Sequence, residues 1–138
     1  MDRRTYDTYV SLYNSGDYRT VVDTYYADDV SFVIYGKTVT HGAADTLRWL
    51  TEIHDGVTET LLIDEVINEG DNSLWVRARE KMECVHDTDK LATGPMHAGD
   101  VRIAPLDAHY LIRDGKFSRI SLERGAGPVE VSLAAEHG

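Results

Sequence analysis

Apolar residues near the start of the chain recur three and four apart: Tyr6, Tyr9, Val10 and Tyr13, then Tyr18, Val21, Val22, Tyr25 and Tyr26 beyond Ser15-Gly16-Asp17. That spacing puts each set on one face of a helix and predicts two short amphipathic helices. Gly16 can take the left-handed conformation that ends the first helix, and Asp17 can cap the second. After Ala27-Asp28-Asp29, residues 30–35 are β-branched and aromatic up to Gly36, which predicts a strand, with a second at 37–40. His41-Gly42 leads into a third helix over 43–54, where Leu47, Leu50 and His54 share one face and Trp49 and Ile53 its neighbour.

From residue 58 the period shortens to two. Strands are predicted over 58–68, 73–86, 101–113 and 116–123, with turns at Glu69-Gly70-Asp71-Asn72 and Asp114-Gly115. Residues 87–100 read as a long hairpin loop, and the stretch from about 124 to 138 as a loose tail. Helices first and strands afterwards is an α+β order, in which three N-terminal helices pack on one face of a curved antiparallel sheet. In the second long strand Leu74, Val76, Ala78, Glu80 and Met82 point one way, and Trp75, Arg77, Arg79, Lys81 and Glu83 the other. The first row is expected inside. The second suits a half-polar surface for a second copy of the chain, or a solvated face.

The length of 138 residues fits a single domain over 1–138, and 42% hydrophobic with 28% charged residues is ordinary for a folded chain. A formal charge of -10 repels phosphate backbones and anionic lipid, so neither nucleic acid nor membrane is an expected partner. Cys84 is the sole cysteine, which excludes an internal disulfide, and the histidines show no ligand spacing of the HxxxH or HExxH kind. No metal and no cofactor are expected. The start turns polar at once and no window reaches the length of a membrane span, so a cytoplasmic protein is the expectation.

Gly16-Asp17, Tyr26-Ala27-Asp28-Asp29, His41-Gly42 and Asp114-Gly115-Lys116-Phe117, in that order, resemble the NTF2-like superfamily, in its branch of ketosteroid isomerases and SnoaL-like polyketide cyclases. The resemblance covers about Tyr6 to Arg124 and implies a cystatin-like cone around one acid-lined pocket. It puts Tyr9 and Asp107 at the positions where the isomerases form an oxyanion hole, in which a buried neutral carboxylic acid donates a hydrogen bond, behaviour for which a ketosteroid isomerase is a standard example. The isomerase base position falls on Ile34, which cannot accept a proton. The carboxylate position of the epoxide-hydrolase branch falls on Leu122, with Glu123 facing away.

The expected catalytic set is Asp107, His109, Tyr9 and Glu80, a proton-transfer set needing no redox group. Tyr26, Ile34, Trp49, Leu50, His54, Val76, Ala78, Met82, Ile103, Ile120 and Leu122 are expected to line the substrate pocket. Each polar member also has a plain structural role open to it: Asp107 as a turn cap, Tyr9 as core, His109 as a satisfied strand histidine, Glu80 as a rim charge, His54 as a helix-end contact. The function implied is cofactor-free isomerisation, cyclisation or dehydration of a hydrophobic polyketide- or terpenoid-like small molecule in natural-product biosynthesis. The alternatives are an epoxide-hydrolase-type ring-opening enzyme or a non-catalytic dimeric binding protein. A homodimer through the outer sheet face is expected.

Overall fold

Side-chain capping starts the chain. Asp2 accepts a hydrogen bond from the Thr5 amide at 2.8 Å and opens α1 (Arg3–Asn14); Asp17 accepts from the Thr20 amide at 3.2 Å and opens α2 (Tyr18–Tyr25). Such caps contribute about 1 kcal/mol each by satisfying amides that the first turn leaves unpaired. Gly16, at φ +83°, makes the left-handed exit between the two helices. The structure, a computed structural model, describes residues 1–133. The elements that follow are β1 (Tyr26–Ile34), β2 (Lys37–Thr38), α3 (Ala43–Ile53), β3 (Val57–Asn68), β4 (Ser73–Cys84), β5 (Val101–Arg113), β6 (Lys116–Arg124) and β7 (Glu130–Ser132).

The strands form one sheet in the order β2-β1-β6-β5-β4-β3, with β7 also on β5. It is not purely antiparallel. β1 runs parallel to β6, from Tyr26 beside Phe117 to Ile34 beside Leu122. Tyr26 belongs to this strand rather than to α2, and the register shifts between Tyr26 and Ser31, so regular pairing begins where the β-branched run does. The predicted loose tail is also corrected for its described part. At Gly125 a Cβ would lie 2.9 Å from the Leu106 amide nitrogen, so only glycine lets the chain hug β5 there before Val131 settles opposite Arg102. Residues 134–138 lie outside the described residues.

The helices cover the concave face, where Tyr6, Tyr9, Val10, Tyr13, Val21 and Val22 pack on Leu74, Val76, Ala78, Tyr110, Phe117 and Ile120. Each large side chain buried this way is worth about 1.5–3 kcal/mol. The β4 alternation is as expected, with Leu74, Val76, Ala78 and Met82 buried and Trp75, Arg77 and Arg79 outward. Among the described residues no helix is long and apolar enough to cross a membrane.

Candidate active site

The helix-covered core does not fill the whole concave face. Toward the far end of β4 it gives way to a cavity of ≈ 180 Å³ between α3, β1, the inner faces of β3–β6 and residues 90–93. Phe32 and Ile34 enter it from β1, Trp49 and Ile53 from α3, Met82 from β4, Leu106 from β5 and Leu122 from β6. Trp49 and Phe32 meet at 5.2 Å between ring centres. The predicted hairpin loop is an ordered lid. Leu91 and Met96 are buried against Val57, Met82 and Cys84, and Thr88 and Met96 exchange both backbone hydrogen bonds at 2.9 Å. From β5 the Arg102 guanidinium holds the lid down, donating to the Thr93 hydroxyl at 2.7 Å, the Thr93 carbonyl at 3.0 Å and the Pro95 carbonyl at 3.1 Å.

Three oxygen-bearing side chains reach the cavity's inner end: Tyr13, Glu59 and Glu80. Glu59 pairs in register with Met82 and Leu61 with Glu80, so the two glutamates are diagonal neighbours on the inner face of β3 and β4. Their carboxyls lie close enough for each to shift the other's ionisation. The Tyr13 hydroxyl donates to Glu59 Oε1 at 2.5 Å, and His54 Nε2 meets the same oxygen at 2.8 Å. His54 closes α3 and sits behind Glu59, away from the cavity. Its Nδ1 faces the Leu50 carbonyl at 2.7 Å and its ring stacks on Tyr18 at 4.6 Å.

The two carboxyls are driven apart. Burial alone would raise Glu59, but hydrogen bonds from His54, Glu80 and Tyr13, together with the charge of His54, more than offset it and hold Glu59 below the usual carboxylate range. Glu80 has no such donors. Burial, then the neighbouring Glu59 charge, pushes it well above its ordinary value, with Arg102 pulling weakly the other way. The two shifts run in opposite directions, so a proton shared by the pair favours Glu80, since two adjacent buried carboxylates cannot both ionise cheaply. Burial likewise lifts Tyr13 well above the usual phenol range, so it remains a donor.

Of the residues expected from sequence, Glu80, Ile34, Trp49, Met82 and Leu122 line this cavity. Asp107 and His109 do not, and the expectation that they share the internal row is corrected. In β5 it is Leu106, Ala108, Tyr110 and Ile112 that face inward, while Asp107 stands opposite Arg77, and His109 opposite Trp75, on the outer face. There the His109 ring stacks on Trp75 at 4.4 Å, its Nε2 meets the Ser73 hydroxyl at 2.8 Å, and Asp107 lies 3.9 Å from Arg77. Ile103 also faces outward, opposite Lys81. Tyr9 is core: its hydroxyl bonds that of Tyr26 at 2.8 Å, its ring packs on Phe117 at 4.8 Å, and burial raises both phenols. Leu50, Val76, Ala78 and Ile120 belong to that core as well. Sequence reasoning missed Glu59, Leu106, Leu91 and the Arg102 clamp. Glu59 had a signal: an acid alternating with Val57 and Leu61 on the apolar side of a strand.

A helix-covered curved sheet with a cavity at its open end is a cystatin-like cone, and solved structures share that fold. A proposed polyketide cyclase from Xanthomonas campestris superposes with a TM-score of 0.68 at 21% identity, over 85% of this chain and 84% of that one. Another from Pseudomonas putida gives 0.70 at 18% identity, over 86% and 87%. An LEH-like epoxide hydrolase from M. tuberculosis gives 0.68 at 14% identity, over 88% and 80%. At these identities the likeness is one of fold. The sequence matches no family model and no curated protein.

Proposed function

We propose that the chain is a cofactor-free acid–base enzyme that isomerises, cyclises or dehydrates a small apolar molecule, of polyketide or terpenoid kind, with Glu80 as acid and Glu59 as base. The observation that carries this is the adjacent Glu59–Glu80 pair at the end of an apolar cavity, whose surroundings push its two carboxyls in opposite directions. The proposed polyketide cyclases among the fold neighbours support the reaction kind. Glu80 donates its proton to a substrate carbonyl oxygen while Glu59 takes one from the carbon α to that carbonyl; Tyr13 and His54 keep the base oriented. The enol so formed returns its O–H proton to Glu80 as it is reprotonated at another carbon by Glu59, attacks a second carbonyl whose oxygen takes the proton from Glu59, or expels a hydroxyl that leaves as water with the proton from Glu59.

Adjacency favours one second reading. Two carboxyls in contact can hold one water between them, Glu59 deprotonating it as Glu80 protonates an epoxide oxygen, and an epoxide-hydrolase-like structure is among the neighbours. The open cavity reaching Glu80 favours either enzyme over a binding protein with a filled core. The outer face around Trp75, 37% exposed, is the proposed surface for a second copy of the chain.

The test is a comparison of amide variants on cyclic β,γ-enones and on epoxides. Glu59→Gln and Glu80→Gln are each expected to lower kcat by about 10²–10⁴-fold, with Asp107→Asn unchanged. Loss of activity in Asp107→Asn with both glutamate variants active would refute the assignment.

A further inference from the structure

The cavity also limits what can react in it. At ≈ 180 Å³ it is little larger than the roughly 150 Å³ apolar cavity that accepts a benzene ring, and well below the about 300–1,000 Å³ of sites that hold drug-sized ligands. Its lid is fixed by the Arg102 bonds and by buried Leu91 and Met96, so the space is bounded on that side too. Aromatic and aliphatic side chains make up most of the wall, and the polar groups at the inner end are Tyr13, Glu59 and Glu80.

Those groups set the charge and polarity of the occupant. Glu59 Oε1 is already engaged by Tyr13 and His54, so the base stays satisfied when Glu80 turns its proton from Glu59 toward a ligand. The ligand must then offer an acceptor to that proton. A ligand anion would lie against Glu59 among mostly apolar walls, a buried like-charge contact. A ligand cation gains little, because His54 already faces Glu59, Arg102 lies beside Glu80, and Lys90 stands at the cavity wall.

Resting on the assignment of Glu80 as acid and Glu59 as base, we infer that the natural substrate is an uncharged molecule of about one ring bearing an acceptor oxygen, as in a ketone, enone or epoxide. Anions, cations and fused-ring molecules of steroid size are rejected.

Calorimetric titration of the full chain at neutral pH tests this with probes that separate size from charge. These are 3-methylcyclohex-2-enone, benzoate, cyclohexylammonium and androst-4-ene-3,17-dione. The enone is expected to bind at least tenfold more tightly than each of the others. Glu80→Leu should weaken the enone at least tenfold, whereas Glu80→Gln, which still donates an N–H, should stay within a few-fold of wild type. Equal or tighter binding of benzoate, the ammonium or the steroid overturns the inference, as does no enone binding at millimolar concentration or an unchanged affinity in a folded Glu80→Leu variant. The expected selectivity with no turnover of any enone or epoxide would instead remove the catalytic reading and leave the ligand class standing.

Discussion

The two faces of this sheet carry much the same residue types under opposite conditions. Inside, Glu59, Glu80, His54 and Tyr13 form a connected network, with the His54 and Glu59 side chains only 4% and 5% exposed. Outside, Asp107, His109, Arg77 and Trp75 make a similar acid, histidine, cation and ring set around a depression, but the Asp107 and Arg77 side chains are 36% and 70% exposed. Water screens the outer set, so its charges interact weakly and its ion pair is worth little. Inside, burial and hydrogen bonding push the two glutamates in opposite directions. Burial, more than residue identity, makes one set a candidate for chemistry and the other a surface.

Deleting an acid from each face should expose the contrast most strongly. Glu59→Ala leaves His54 and Tyr13 buried without their acceptor and is expected to cost about 3–5 kcal/mol, against about 0.5 kcal/mol or less for Asp107→Ala. Urea unfolding of the two variants measures both. Comparable losses would mean the outer pair is not screened as its exposure implies.

The next effect is a pH dependence with two opposed limbs. Glu59, held below its ordinary value, contributes stability that is present above the ordinary unfolded value and lost as pH falls through its lowered folded value. Glu80, pushed above its ordinary value, has the reverse sign: its contribution is full below the ordinary unfolded value and is lost as pH rises toward its raised folded value. Glu80→Gln should therefore flatten the alkaline side and stabilise the protein at pH ~8 by about 1–2 kcal/mol, as replacing a buried charge often does. Thermal melts across pH compare it with wild type; a variant less stable than wild type at alkaline pH would contradict the assignment.

A local effect of similar size concerns the lid. Arg102→Leu removes the three bonds to Thr93 and Pro95, and at about 0.5 kcal/mol per net hydrogen bond, the low end for a half-buried side chain, it should cost about 1.5 kcal/mol. Amide exchange should quicken in residues 88–96 while β5 and β6 stay protected. Uniform acceleration would instead make the lid part of the global unfolding unit.

Local periodicity carried most of the fold. The β4 rows, the Gly16 exit, the Asp17 cap and the span of β5 follow from alternation and turn chemistry, and the structure bears them out. Pairing between distant strands was harder. Nothing local marks β1 as a parallel partner of β6, and the run that became β7 is too short and polar to announce itself. The site failed for a sharper reason. Alternation of Ala104, Leu106, Ala108, Tyr110 and Ile112 already assigned Asp107 and His109 to the opposite face, but the family registration put Asp107 in the pocket, and one residue of register inverts a strand. Glu80 was found because its row was followed; Glu59 was missed because the rows of β3 were not. His54 and Tyr13 reach Glu59 only through tertiary packing of α1 and α3 on β3, which no single element's pattern contains.

Whether Glu80 holds a proton can be read without any substrate. Infrared spectra of the wild type at neutral pH should contain the carbonyl stretch of a protonated carboxylic acid, shielded from solvent, that disappears in Glu80→Gln and persists in Asp107→Asn. Absence of that band, or its survival in Glu80→Gln, would show that the proton is not held on Glu80 and that the inner pair does not divide acid from base.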